Sequence, residues 1–220
     1  MGIITEKGKL LRHRGEGHGP NYKPWILSRE VKGNEGVSTT LIDWKHGRPI
    51  ECLSQGEKWL YCLLRWRDDV EDIREQFPLD LESTVSIANG LGIMHPRDEK
   101  HRMTTDLLVD FTDGHQEAFS VKAGTDALDD ARTVEKLMIE KIYWESRGVK
   151  WHLWTKDEKY RQKVKNILEV TEFYNQTEFE DAISAVKHMI AHKHISVDMD
   201  CQINYESVIR SNSLCLKEKQ

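Results

Sequence analysis

Hydrophobic and polar positions follow one another along this chain with two different periods, one helical and one extended. Apolar residues three and four positions apart predict helices, whereas alternation or short apolar runs predict strands. Helical spacing is found at about 54–66, 83–90, 126–147, 157–168 and 178–194. Extended spacing is found at 70–77, 105–111, 117–122 and 151–154. The order of these elements predicts an α/β fold on a mixed sheet flanked by helices.

Two of the predicted strands flank a turn signal, which indicates a β-hairpin. Side chains alternate across a strand, so the apolar residues of both strands enter one core if Val109 pairs with Phe119. That register requires an odd loop, Asp113-Gly114-His115, with a left-handed residue at its second or third position.

The same register predicts a polar face at the strand ends. Asp106 is expected directly opposite Lys122, and Leu108 opposite Ser120. A carboxylate beside a lysine suits metal-dependent phosphodiester cleavage, because oxygen ligands hold Mg²⁺ and the lysine positions or deprotonates the attacking water. One carboxylate binds Mg²⁺ weakly, so a second is needed, and Glu57 is the upstream candidate.

Each of these residues also has a simpler interpretation. The stretch Ser54-Gln55-Gly56-Glu57 has the spacing of a capping box, in which the glutamate serves only the start of a helix. An aspartate opposite a lysine is equally a cross-strand ion pair, worth roughly a few tenths of a kcal/mol.

Composition and charge narrow the class of protein. Hydrophobic residues are 38% of the 220 residues, charged residues are 31%, and the net charge is −5. A chain with this charge does not bind nucleic acid through bulk attraction, so DNA binding needs local patches or a partner. The sequence contains no apolar run long enough for a membrane span and no secretory leader. The four cysteines form no CxxC pair, which favours a reducing compartment, most simply the cytoplasm.

The sequence divides into three expected regions. Residues 1–32 form a basic arm, with seven basic and three acidic side chains and closely spaced glycines. Residues 33–170 are expected to form the core domain, and 171–220 a short, acidic, helical region that faces protein partners. The arm is interpreted either as a contact to a phosphate backbone or as a solvated leader. With the basic loop before the hairpin it supplies the expected DNA-facing residues Arg12, Arg14, His18, Arg97, Lys100 and Arg102.

Several longer stretches are distinctive in combination. The first is Arg14-Gly15-Glu16-Gly17-His18-Gly19, followed by Tyr22 and Pro24-Trp25. The later ones are 53–57, 72–79, 105–110, 121–122 and 132–137, with Tyr143-Trp144 after them. In their order and near their spacing, these stretches resemble TnsA, the endonuclease subunit of heteromeric cut-and-paste transposases, whose opening signature is similar to the first of them. The resemblance covers roughly residues 12–168, and its motifs are specific in combination.

The resemblance implies a restriction-endonuclease-like fold whose active site is related to the PD-(D/E)xK pattern. By position, Glu57 and Asp106 match the metal-binding acids of the family, and Lys122 matches its catalytic lysine. The cofactor implied is Mg²⁺, for which Mn²⁺ can substitute.

One position departs from the family pattern. The residue two before the lysine is normally Gln in the family and Glu or Asp in related nucleases, but here it is Ser120. A neutral hydroxyl is a poor cation ligand, so either the Val121 carbonyl takes this place or Ser120 acts through a water. Glu140, on the next helix, is a candidate outer-shell acid, with a surface or structural role as the alternative.

The function implied by the resemblance is that of a DNA endonuclease that nicks the non-transferred strand at transposon 5′ ends. Its implied partners are transposon-end DNA, a TnsB-like DDE transposase and a TnsC-like AAA+ ATPase. Two alternatives stay open: an inactive or weakly active adaptor that recruits these partners, favoured by Ser120, and an independent restriction-type nuclease, disfavoured by the net charge.

Overall fold

The computed structural model describes residues 4–31 and 38–217, with the side chains of 97–98 and 212–217 outside the description. The chain divides into two compact units, Met1–Lys156 and Asp157–Gln220. The boundary between the units precedes the helix at Arg161–Thr171, and residues 4–31 are part of the first unit. The division into an arm, a core domain and a C-terminal region from 171 stays a prediction.

The first unit contains a four-stranded sheet, a small hairpin and helices on the sheet. Its helices are α1 (Glu6–Leu10), α2 (Gln55–Arg65), α3 (Leu81–Leu91) and α4 (Ala131–Glu145). Its strands are β1 (Thr39–Ile42), β2 (Pro49–Cys52), β3 (Val70–Pro78), β4 (Thr104–Phe111), β5 (Gln116–Lys122) and β6 (Lys150–Thr155). The sheet order is β3-β4-β5-β6, with β5 and β6 parallel and the other pairs antiparallel. The predicted mixed α/β sheet is therefore confirmed, whereas α1 and the β1–β2 hairpin were not predicted.

The second unit is helical in its described part. Its α-helices are α5 (Arg161–Thr171), α6 (Ala182–Ala191) and α7 (Tyr205–Lys217). The helix predicted over 178–194 is shorter than expected because Asp181 caps its start, accepting from the Ser184 N–H at 2.7 Å. In neither unit does a described helix combine the length and the apolar character that a bilayer crossing needs.

Local capping chemistry sets the ends of the helices beside the sheet. The Ser54 hydroxyl accepts from the Glu57 N–H at 3.1 Å and so starts α2. Gly92 ends α3 in the left-handed conformation, with φ 68°. The helix predicted over 126–147 begins later than expected, because Asp130 caps α4 and a 3₁₀ turn covers Thr125–Asp129.

The register of the β4–β5 hairpin differs from the prediction by two residues. Phe119 pairs with Leu107 rather than with Val109. The Phe111 N–H donates to the His115 carbonyl at 3.0 Å, so the three-residue loop ends at Gly114, which has φ 87°. The loop is odd, as predicted, because a glycine closes this turn in the left-handed conformation. A two-residue shift leaves every side chain on its predicted face.

The register shift corrects one predicted contact. Lys122 is not directly opposite Asp106, although the two side chains still share a face of the sheet. On that face, Leu108 and Ala118 pack with Tyr143 and Trp144 of α4 in a buried cluster. The polar end of the hairpin therefore continues directly from a closely packed core.

Candidate active site

Asp106 lies on β4 beside the end of β5 and is partly exposed. Its Oδ2 accepts a hydrogen bond from the Val121 N–H at 2.7 Å. Burial raises the pKa of Asp106, and the nearby positive charge of Lys122 and the Val121 N–H oppose this shift. The predicted association of Asp106 with Lys122 is thus present as an electrostatic contact on one face.

Glu57 lies in the first turn of α2 and is only 6% exposed. Its carboxylate accepts from the Leu53 N–H at 2.8 Å and from the Ser54 hydroxyl at 2.9 Å, so the local capping interpretation is correct. The Glu57 carboxylate also interacts electrostatically with Asp106. Burial first, and the charge of Asp106 second, raise the pKa of Glu57 to about 8. The capping role and the site role are both present in one side chain.

Gln76 joins the two carboxylates and was missed in the sequence. Its Nε2 lies 3.1 Å from Glu57 Oε2 and 3.5 Å from Asp106 Oδ1. The side chain is 1% exposed, and the backbone has φ 48°, which costs a non-glycine residue about 1–3 kcal/mol. A polar residue in a strand does not by itself indicate a functional site. The one sequence signal for Gln76 was that it lies inside the segment 72–79, which carries part of the family resemblance.

Glu140 is a third acid in the same region, contributed by α4. Its Oε1 accepts from the Thr105 hydroxyl at 2.7 Å, and that hydroxyl accepts from the Trp144 Nε1–H at 2.6 Å. Burial first, and the charge of Asp106 second, raise the pKa of Glu140 to about 7, while hydrogen bonds from Ser120 and Thr105 lower it. Glu140 is buried rather than at the surface, and it takes up the hydroxyl of Ser120.

A cavity of about 370 Å³ opens beside these side chains. Its polar lining includes Asp106, Ser120, Lys122 and Glu140, together with the basic residues Arg102, Arg132 and Lys136. Glu57 does not line this cavity; it reaches the site through Gln76. Lys136 lines this cavity and was not predicted as a contact residue.

The Val121 peptide lies between the helix α2 and the acidic residues. Its carbonyl accepts from Lys122 Nζ at 3.1 Å, and its N–H is bound by Asp106. Gly56 allows this approach, because a Cβ at that position would lie 2.9 Å from the Val121 Cγ1. A larger residue at 56 would push α2, and with it Glu57, away from β5.

The residues expected to face DNA are in different environments. Arg12 and Lys100 are exposed, and Arg102 lines the cavity. The side chain of Arg97 lies outside the described residues. His18 is 71% exposed, near Asp110 rather than near Asp106.

Arg14 corrects the prediction for this group. It is 6% exposed, and its guanidinium donates to both carboxylate oxygens of Glu30, at 2.6 and 2.8 Å, and to the Trp25 carbonyl. A side chain held this way cannot also bind a phosphate. Arg14 fixes the N-terminal segment on the sheet, where the Trp25 N–H donates to the Gln76 carbonyl at 3.2 Å.

A second group of potential metal ligands lies elsewhere on the described surface. Ligand atoms of His18, Asp72 and Asp110 come within 4.8 Å of one another. Asp110 is already paired with Arg74 at 2.8 Å, and Asp72 accepts from two backbone N–H groups. These donors bind both oxygens of Asp72 and one oxygen of Asp110, whereas Asp110 Oδ2 is buried without a hydrogen-bond partner among the described residues.

Together, the mixed sheet flanked by helices, with Asp106 and Lys122 on its two inner strands and Glu57 on α2 beside them, is the architecture of a restriction-endonuclease-like α/β protein. Residues 67–156 match the family model described as TnsA-like endonuclease N terminal. The chain is also 39% identical over 164 residues to the Transposon Tn7 transposition protein TnsA of Escherichia coli. Over most of its length the chain is therefore similar to TnsA.

The two matches differ in extent, and the family match includes most of the residues of the candidate site. The alignment covers 73% of this chain and 59% of the Escherichia coli protein, so the chain spans little more than half the length of that relative. The family match includes Gln76, Asp106, Lys122 and Glu140, and it begins after Glu57. Its end coincides with the end of the first compact unit.

Proposed function

We propose that this chain is a metal-dependent DNA endonuclease that acts within a transposase complex and nicks the non-transferred strand at transposon 5′ ends. The observation that carries the proposal is the pair of carboxylates of Glu57 and Asp106, which Gln76 joins and which lies beside Lys122. Burial of Glu57 beside Asp106 raises the pKa of Glu57 and costs stability, and a protein tolerates such a cost where function requires it.

The residues present fit a hard divalent cation. The available donors are the oxygens of Glu57, Asp106 and the Val121 carbonyl, which are the ligand type that Mg²⁺ and Mn²⁺ prefer. Among the groups that shift the pKa of Asp106, Lys122 is the one with a full positive charge. The two carboxylates have no other full counter-charge in that set. Bound Mg²⁺ would supply charge neutralisation of the scissile phosphate and activation of water.

The chain's own residues have separable tasks. Asp106 is oriented by the Val121 N–H, and Glu57 is oriented by the Leu53 N–H and Ser54. Lys122 lines the cavity with its Nζ 3.1 Å from the Val121 carbonyl oxygen, and its ammonium can position water or stabilise the pentacoordinate phosphate. Arg102 and Lys136 line the same cavity and provide positive charge for the DNA backbone.

Ser120 stands where related nucleases have a charged ligand. Glu140 contributes to this part of the site only indirectly, through its contacts with neighbouring residues. Its raised pKa keeps a proton on the carboxyl group for part of the time near neutral pH, and it is bound to Thr105. We assign it to holding Ser120 and the end of β5 in position. Ser120 itself is buried, and it acts on a cation only through an intervening water.

The dependence of this chain on a partner protein for DNA binding is inferred from its net charge. With a net charge of −5, this chain needs another protein to bring it to DNA. A TnsB-like DDE transposase that binds the transposon ends would supply the cleavage site, and a TnsC-like ATPase would control both. The Escherichia coli relative is a Tn7 transposition protein, which supports this assignment.

Excision with the partner transposase tests the proposal. Asp106→Asn keeps an oxygen acceptor for the Val121 N–H but removes the charge. With this variant, double-strand excision should give way to products still joined at the 5′ ends. The matched control is Asp113→Asn, at an exposed position in the loop of the same hairpin. Unchanged double-strand cutting by Asp106→Asn would contradict the proposed function.

A second candidate function is an adaptor that keeps the fold and recruits the partners without cutting. Ser120 favours it, because a buried neutral hydroxyl stands at the position two before the lysine. Calorimetric titration with Mn²⁺ separates the two functions. An adaptor binds no cation and keeps its full effect on transposition when Lys122 is replaced by alanine.

A further inference from the structure

Gln76 occupies an unusual position between two acids. In the β3–β4 register, Glu75 pairs with Leu107 and Phe77 pairs with Thr105, so Gln76 lies across from Asp106. Its positive φ departs from strand geometry, and its Nε2 ends between the carboxylates of Glu57 and Asp106. The amide nitrogen therefore lies where a cation shared by the two acids would lie.

An N–H donor and a cation cannot occupy that place together. The amide hydrogens carry partial positive charge and would repel a divalent ion. Before both acids can share a cation, Gln76 has to withdraw, or its amide has to turn its oxygen inward.

Withdrawal is opposed by the surroundings of Gln76. The side chain is 1% exposed, and the backbone carbonyl accepts from the Trp25 N–H at 3.2 Å. Rotation about the terminal bond needs no backbone movement, because it only exchanges Nε2 and Oε1. The Thr104 hydroxyl, which donates to Oε1 at 3.3 Å, can accept from Nε2 after the exchange. The rotated amide is therefore satisfied at Thr104, and its Oε1 is satisfied between the two acids when a cation is bound there.

Gln76 is also not needed to hold either acid alone. Glu57 is held by the Leu53 N–H and by Ser54, and Asp106 is held by the Val121 N–H. Among the described side chains, only Gln76 places an amide group between the two acids.

We propose that Gln76 is a ligand of the cation that Glu57 and Asp106 share, and that its amide rotates to present Oε1 when the cation binds. The proposal rests on the proposed function, since it requires a cation at this pair. Gln76 then has two roles: its N–H groups hold the acids together without the cation, and its carbonyl completes the ligand set with it.

Calorimetric titration of the full chain with Mg²⁺ and Mn²⁺ tests the proposal through affinity, without measuring cleavage. Gln76→Met keeps the size of the side chain and removes both amide atoms. We expect its cation affinity to fall at least tenfold, and Gln76→Glu, which restores an oxygen, to bind more tightly than Gln76→Met. Gln55→Met, at an exposed position at the start of α2, should bind like the wild type. Gln76→Ala provides a second amide-free variant, and thermal unfolding without cation verifies that each variant folds.

The outcomes separate three cases. If Gln76→Met or Gln76→Ala binds the cation as tightly as the wild type or more tightly, Gln76 only competes with the cation and the proposal is overturned. If the wild type itself binds no cation, the proposed function fails and this proposal fails with it. A tenfold loss confined to the amide-free variants supports a direct ligand.

Discussion

Glu57 Oε2 and Asp106 Oδ1 lie on either side of one amide nitrogen, Gln76 Nε2, at 3.1 and 3.5 Å. The two acids come from a helix and a strand 49 positions apart in the sequence. Their proximity raises the pKa of Glu57, and burial is the larger cause. The protein therefore keeps two carboxyl groups close together, which is unfavourable for stability when both are ionised and favourable for binding a cation.

Removing one of these charges should stabilise the cation-free protein. At pH 8, we expect Asp106→Asn to raise the free energy of unfolding by about 1 kcal/mol, since the remaining Glu57 no longer faces a like charge. The same variant should lose cleavage activity at least about a hundredfold. Urea denaturation and the excision assay measure the two effects. A variant that is both less stable and fully active would refute this prediction.

The pH dependence of stability should contain a contribution from Glu140. Its folded-state pKa, about 7, is above the ordinary value of 4.5, so the folded protein binds this proton more tightly than the unfolded chain does. The contribution is complete below about pH 4.5 and is lost as the pH rises through 7, by at most about 3 kcal/mol.

Glu140→Gln cannot titrate and keeps an acceptor for Thr105. Between pH 5 and 8, its free energy of unfolding should fall less steeply than that of the wild type. Urea denaturation at several pH values measures both slopes, and Glu82→Gln, at an exposed position on α3, is the control. Parallel slopes for Glu140→Gln and the wild type would show that Glu140 does not titrate in this range.

Gly56 should tolerate no side chain. A Cβ there would lie 2.9 Å from Val121, so Gly56→Ala should destabilise the protein by about 1–3 kcal/mol and reduce cleavage by displacing Glu57. Gly90→Ala is the matched control on α3, because a Cβ at Gly90 meets nothing within 4 Å. It should be stabilising by about 0.5–1 kcal/mol. If the two substitutions changed the thermal unfolding temperature equally, the close approach of Gly56 to Val121 would not be the cause of the destabilisation.

Lys122 should matter for cleavage rather than for cation binding. Lys122→Met keeps the aliphatic stem and removes the charge beside Asp106, so cation affinity should stay the same or rise. Cleavage should fall at least about a hundredfold. Lys141→Met, an exposed position on α4 paired with Glu145, is the control. Weaker cation binding by Lys122→Met would indicate that Lys122 organises the ligands instead.

Arg14 and Arg12 should behave oppositely although they are two residues apart. Arg14→Ala leaves Glu30 partly buried without its partner and should cost about 2–4 kcal/mol of stability. Arg12→Ala, at an exposed position, should change stability by less than about 0.5 kcal/mol. Thermal unfolding of both variants checks this, and a neutral Arg14→Ala would contradict the structural role.

The hairpin illustrates what the sequence could predict. Alternation placed Asp106 and Lys122 on one face, and this is correct because side-chain direction depends only on whether the spacing is odd or even. The exact pairing was wrong by two residues, because loops ending at Gly114 or at His115 satisfy the same alternation. Hydrophobic pattern therefore determines the face but not the register.

Contacts between segments that are far apart in the chain could not be predicted from the sequence. Gln76 joins the site through a positive φ that strand propensity does not indicate, and Arg14 is buried by Glu30, sixteen residues further on. Dense glycines beside Arg14 suggested an exposed arm, yet the segment packs on the sheet through Trp25. These features depend on tertiary packing, which overrides local composition.

The location of a bound cation tests the central claim most directly. In crystals of the full chain soaked with Mn²⁺, the anomalous signal should lie between the carboxylates of Glu57 and Asp106, next to Gln76. A signal only at His18, Asp72 and Asp110, or none at the Glu57–Asp106 pair at saturating Mn²⁺, would contradict the claim that these two acids form the cation site.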